Sequence, residues 1–302
     1  MKNSNRIARS LLCLLLSIAP LTGFATTLEG NCGAPVAATF ALPSKAPATC
    51  CSDPEPYPDW LGRAGLALSS TLGRIAADVV LREGHLLRFP QTSDYLTDRI
   101  QPLDFIAIQS DGHLSHVLLP GKFGHLAIYL GTADELRRFG IWNHPKIVPH
   151  HDIIRKGRAV LEADKNGVHL ATFRSLLDAD SIAILRPLLT LERRRSALSG
   201  LADHIGTPFD FRFDADDGSS LFCAELIAHA IPELDLPKRE TYGRYTILPD
   251  EVAYGAAIGI GKLSVAGYVS ATSLDWETGT PHMLRLAIDR AWIQPVFRKA
   301  GR

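Results

Sequence analysis

Cys223 sits near the start of the apolar run Leu221-Phe-Cys223-Ala-Glu225-Leu-Ile-Ala-His-Ala230, directly after a break at Gly218-Ser219-Ser220. An extended aromatic-and-acid stretch, Phe209-Asp-Phe-Arg-Phe-Asp214, precedes that break. The pattern predicts that the thiol falls in the first turn of a helix. A helix N-terminus favours negative charge, and the thiolate is the nucleophilic form of cysteine. The competing reading is a packed core cysteine, because free Cys is among the most buried residue types. A nucleophile needs a base, and the base needs a group to orient it. His125 supplies an imidazole within Gly121-Lys-Phe-Gly124-His125-Leu-Ala-Ile-Tyr129-Leu-Gly131. Taken alone, a strand histidine is usually a satisfied structural group. Glu162 interrupts the apolar stretch Arg158-Ala-Val-Leu-Glu162-Ala163. A buried carboxylate is costly unless paired, and an imidazole is a natural partner. Cys223, His125 and Glu162 together have the chemistry of nucleophile, general base and orienter.

These residues need elements to hold them. Period-two alternation puts His125, Ala127 and Tyr129 on one face of a strand and Leu126, Ile128 and Leu130 on the other. Further short strands are expected at 105–108, 114–119, 159–163, 168–173 and 182–185. A helix is expected from Trp60 to about Arg82 and another at 191–205, closed by Gly206 with Pro208 beyond. The helix carrying Cys223 stops before Pro232. Strands followed by helices in this order suit an α+β fold, an antiparallel sheet flanked by helices.

The order His-strand, Glu-strand, Asp/Phe-rich stretch and Cys-helix resembles the permuted papain-like amidases, the YaeF/YiiX-type relatives of the NlpC-like cell-wall peptidases. The matching pieces are Pro102-Leu-Asp104-Phe-Ile-Ala-Ile, Gly124 to Gly131, Val160-Leu-Glu162-Ala163 with Asn166-Gly167-Val168, and Pro208-Phe-Asp-Phe through Cys223-Ala-Glu225-Leu. In ordinary papain-like enzymes the Cys precedes the His, and here that order is reversed. The resemblance covers roughly residues 98 to 255 and implies a permuted papain-like fold with Cys223, His125 and Glu162 as its triad. Two positions depart from the pattern. Gly124 stands where the family often has an aromatic residue or Ser, and Ala224 stands where Ser commonly follows the nucleophile.

The first residues carry an address. Lys2, Arg6 and Arg9 precede the apolar run Leu11 to Ala19, and Gly23-Phe-Ala25 follows. That is the layout of a secretory signal, with cleavage expected after Ala25. The run is too short for a membrane span, which needs about 20 apolar residues. The whole chain has 32 Lys and Arg against 32 Asp and Glu. Removal of the signal takes three basic residues and no acid, so the mature chain carries a formal charge of −3. No basic excess marks a nucleic-acid surface. Arg193-Arg-Arg195 reads as the solvated face of a helix. The organisation expected is a signal at 1–25, a lead-in at 26–58, a helical segment at 59–97, the catalytic core at 98–255 and a C-terminal appendage at 256–302.

Four cysteines remain after cleavage: Cys32, Cys50, Cys51 and Cys223. In an oxidising compartment Cys32 is expected to bridge to Cys50 or Cys51. No metal or other cofactor is expected. His113, His116, His150 and His151 lack a third ligand at zinc spacing, and Asp210, Asp214, Asp216 and Asp217 lack the spacing of a calcium loop. Glu225 reads as a cap or salt bridge. The function expected is an exported cysteine hydrolase acting on an amide bond in a cell-wall peptide or a protein. A lipid-directed acyltransferase or thioesterase using the same Cys and His is the chemical alternative, and a non-catalytic binding module of the cell envelope is the alternative of another class.

Overall fold

The computed structural model describes residues 50–51, 69–118, 121–216 and 218–293, all within the compact unit Lys45–Arg302. Residues 1–49 lie outside the described residues, and with them the expected signal, most of the lead-in and Cys32.

A seven-stranded antiparallel sheet forms the centre. Its strands are β1 (Phe105–Gln109), β2 (His125–Tyr129), β3 (Val160–Asp164), β4 (Gly167–Ala171), β5 (Ser181–Pro187), β8 (Leu263–Ala271) and β9 (Trp276–Thr278), and β6 (Arg239–Thr241) with β7 (Arg244–Thr246) makes a separate hairpin. The spatial order is β4-β3-β2-β1-β5-β8-β9. Alternating side chains feed two apolar layers. Phe105, Leu126, Ile128, Leu161 and Leu185 enter one cluster, while Ile106, Ala127, Val160, Ile182 and Ile184 enter the other. The central strands are therefore buried on both faces, which is why they read as near-continuous apolar runs.

Helices cover the sheet. They are α1 (Ser69–Asp78), α2 (Pro90–Thr97), α3 (Ala133–Phe139), α4 (His151–Arg155), α5 (Phe173–Leu176), α6 (Leu191–Ala202), α7 (Cys223–Ala230), α8 (Pro249–Ile258) and α9 (Pro281–Ile293). Helix α7 contributes Leu226 and Ile227 to the first cluster, beside Leu198 and Leu201 of α6. Its first turn is tied by Glu225, whose carboxylate accepts the Phe222 N–H at 3.4 Å and lies 3.5 Å from His229. No described helix is long and apolar enough to cross a membrane.

Four expectations change. The segment expected as a strand at 114–119 is a 3-10 turn over Leu114–Leu118. Both edges of β1 are already taken by β2 and β5, so this segment has no free strand edge on β1 and closes its own local bonds, such as His116 N–H to His113 O at 3.1 Å. The segment after 255, read as an appendage, supplies β8 and β9 to the same sheet through β5. The Phe209–Asp214 stretch is a turn and not an extended strand. Asp210 accepts the N–H groups of Arg212 at 2.7 Å and Asp214 at 2.6 Å, and only Phe209 bridges to Leu221. Finally, Cys50 bridges to its neighbour Cys51. Cys51 is buried and the Cys50 N–H is anchored on Asp289 of α9 at 3.1 Å, so the pair is held against the C-terminal helix.

Candidate active site

At one end of the sheet β1 and β3 stop and β2 begins, and α7 starts beside them. His125 is the first residue of β2 and Cys223 the first of α7, so both side chains reach this end. Glu162 of β3 pairs in register with Ala127 of β2. Residues opposite each other across antiparallel strands share a face, and diagonal neighbours two residues on are within reach of long side chains. His125 and Glu162 are such a diagonal pair. His125 Nε2 lies 3.1 Å from Glu162 Oε2, and His125 and Cys223 line the same cleft. With Nε2 engaged by the carboxylate, Nδ1 is the nitrogen left for the sulfur. The structure thus brings together the three residues singled out in the sequence.

The electrostatics follow from that arrangement. Burial works most strongly against charge on His125, but the Cys223 and Glu162 contacts outweigh it and push the ring up to about 10 from an ordinary 6.5. Glu162 feels the same competition. Burial raises it, and the hydrogen bond from His125 with the charges of His125 and His169 brings it below the usual carboxylate value. A carboxylate held ionised against an imidazole, with a thiol on the imidazole's other side, is an arrangement able to generate a sulfur nucleophile.

A cleft of about 260 Å³ opens at this point. Phe209, Phe211 and Phe213 form one wall, with ring centroids 4.9 Å apart for Phe209–Phe211 and 5.8 Å for Phe209–Phe213. Ile108 and Leu176, with Gly73 and Ala77 of α1, also line the cleft. His113 and His116 line it too. His113 is 3.0 Å from Asp178 and His116 is 3.3 Å from Asp111. Burial lowers His116 below the ordinary imidazole range, so it faces the cleft as a neutral group at neutral pH. Of the other histidines set aside as metal ligands, His151 stacks on Trp142 with ring centroids 3.6 Å apart.

The geometry explains the glycine before His125. A Cβ at position 124 would stand 2.6 Å from His116 Nδ1, inside contact distance. Two residues that the sequence did not single out also belong here. Asp250, at the start of α8, is fully buried and accepts the N–H groups of Lys122, Phe123 and the Trp292 indole, each at 2.7 Å. Burial, only partly offset by those donors, pushes it up to about 6. It clamps the turn that leads into His125. Its sequence signal, an acid in the first turn of a helix after Pro249, is the same as that of any capping acid.

The second residue is His169 on β4, opposite Glu162 in the ladder. Its signal lay in the Lys165-Asn166-Gly167 turn, which fixes a two-residue hairpin loop and hence the register. Among the described residues, Glu162, Asp164 and His169 are the group whose donor atoms lie close enough, within 4.8 Å, to hold a metal ion.

No curated protein and no solved structure matches the chain. Residues 89–280, more than half of its length, match the permuted papain-like amidase enzymes of the YaeF/YiiX type. The chain belongs to that family, and it is a hydrolase of the papain-like amidase and cysteine-peptidase kind.

Proposed function

We propose that the protein cleaves an amide bond through Cys223, His125 and Glu162, and that it does so outside the cytoplasm. The observation that carries the reading is the His125–Glu162 pair, 3.1 Å apart, beside a cleft that His125 and Cys223, the latter at the head of α7, line together. The Cys223 sulfur attacks the carbonyl carbon of the substrate while His125 holds the proton that the pair shares. The C–N bond breaks as His125 returns that proton to the leaving amine, leaving a thioester on Cys223. Water, deprotonated by His125, then attacks the thioester and restores the thiol. Glu162 keeps the ring in one orientation and offsets the charge it gains. The N–H of Cys223, at the first helical position, is one donor for the oxyanion of each tetrahedral intermediate.

The test is mass spectrometry of cell-wall fragments and of acyl-lipids incubated with the mature protein and its variants. Cys223→Ala and His125→Ala should each lower turnover by on the order of 10⁴-fold or more, because members of a catalytic unit do not contribute separately. Glu162→Gln should cost less than either, since it orients without reacting. Turnover that survives Cys223→Ala would refute the proposal. The apolar wall of Phe209, Phe211 and Phe213 supports a second reading, transfer or hydrolysis of an acyl chain by the same Cys and His. Cleavage of the lipids and not of the wall fragments would decide for it.

A further inference from the structure

Glu162 faces two imidazoles. Its Oε2 lies 3.1 Å from His125 Nε2, and its Oε1 lies 3.6 Å from His169 Nε2. His169 is its cross-strand partner in the β3–β4 ladder, so the two side chains share a face. The other His169 nitrogen, Nδ1, is 3.0 Å from the Gly167 carbonyl and 3.5 Å from Asp164 Oδ1. Both ring nitrogens therefore face oxygen acceptors. The Glu162 side chain is 13% exposed and that of Asp164 35%, so the contact to Glu162 is the less screened of the two. His169 belongs to neither apolar cluster and does not line the cleft. The hairpin is closed by its own backbone ladder and a two-residue loop. Of the groups that His169 touches, Glu162 is the one that also reaches His125.

Resting on the reading of Cys223 and His125 as the reacting pair, we propose that His169 is a positioning residue that holds the Glu162 carboxylate from its far oxygen, so that the near oxygen stays on His125. A carboxylate held at one oxygen can swing about its last bond. One held at both has its plane fixed, and with it the orientation of the His125 ring.

The experiment reads the alkylation rate of Cys223 by iodoacetamide at neutral pH, followed by peptide mass spectrometry, and so needs no substrate. Wild type is compared with His125→Ala, His169→Ala, His169→Gln, Glu162→Gln and the double variant of Glu162→Gln with His169→Ala. His169→Ala should slow alkylation about fivefold, the scale of a partly exposed charged contact acting through an intermediary. His169→Gln, which keeps a donor, should recover part of the loss, and it carries the test should the alanine variant fold poorly. With Glu162→Gln in place, removing His169 should add nothing, because the effect runs through that carboxylate. An unchanged rate in both His169 variants, or the same fold-loss with and without Glu162, would overturn the inference while leaving the reacting pair intact. Alkylation indifferent to His125→Ala would overturn the reacting pair and this inference with it.

Discussion

Glu162 is the residue whose environment most needs its partners. Burial works against its charge, and the His125 hydrogen bond with the charges on His125 and His169 more than compensates, leaving it below its ordinary value of 4.5. The sign of the consequence for stability follows. A carboxyl whose folded value is depressed stabilises the fold above its unfolded value, and that contribution is lost as pH falls through the lower folded value. The stability difference between wild type and Glu162→Gln, measured from urea midpoints, should therefore hold from neutral pH down to about 4.5 and shrink below it. A difference that grew in acid would contradict the pairing. At this scale the sequence was informative for a physical reason. A lone carboxylate inside Ala-Val-Leu-Glu-Ala demands a partner, and the thiol after a Gly-Ser-Ser break demands a helix start. His169 escaped because the same hairpin pattern suits any polar residue on a half-buried strand.

At the scale of elements, β2 and α7 place their first residues, His125 and Cys223, where each can reach the other, and the turn before β2 has to keep clear of them. Gly124 does this by having no side chain beside His116, whose side chain is only 14% exposed. Gly124→Ala should push His116 into the cleft or shift the start of β2, lowering turnover by roughly 10- to 100-fold, as misplacement of catalytic groups by about 1 Å does. The unfolding midpoint should change far less than the rate. Full turnover in Gly124→Ala would show that this close approach has no functional weight. The strands that read as near-continuous apolar runs, β1, β2, β3 and β5, were legible to within a residue or two because two buried faces leave little choice of residue. The 114–118 turn was misread as a strand because its Leu-Ser-His-Val-Leu pattern fits a strand, while the occupation of both β1 edges is a fact of the assembled sheet.

Across the whole molecule, the sheet joins segments far apart in sequence. Ser181 of β5 pairs with Ser270 of β8, and the buried Tyr268 and Val269 make β8 part of the core. Periodicity reveals that a segment is strand-like and not which strand it joins, so residues 263–278 read as an appendage. The bridge between Cys50 and Cys51 was hidden for a similar reason, since the packing of α9 beside them is not written in their spacing. The export proposal also belongs to this scale. The basic start, short apolar run and Gly23-Phe-Ala25 predict that N-terminal sequencing of material from outside the cytoplasm begins near Thr26. Recovery of the full-length chain from the cytoplasm alone would contradict it.

The central claim is that Cys223 and His125 form one electrostatic unit, with Glu162 behind the ring. The most direct measurement is an NMR pH titration of the His125 ring protons in wild type and in Cys223→Ala. The account predicts that the wild-type ring keeps its proton through neutral pH and titrates near 10, and that removing the sulfur lowers that value, because Cys223 is the largest of the influences raising it. A ring that titrates near the ordinary 6.5 in both proteins would show that the imidazole does not engage the thiol, and would contradict the account.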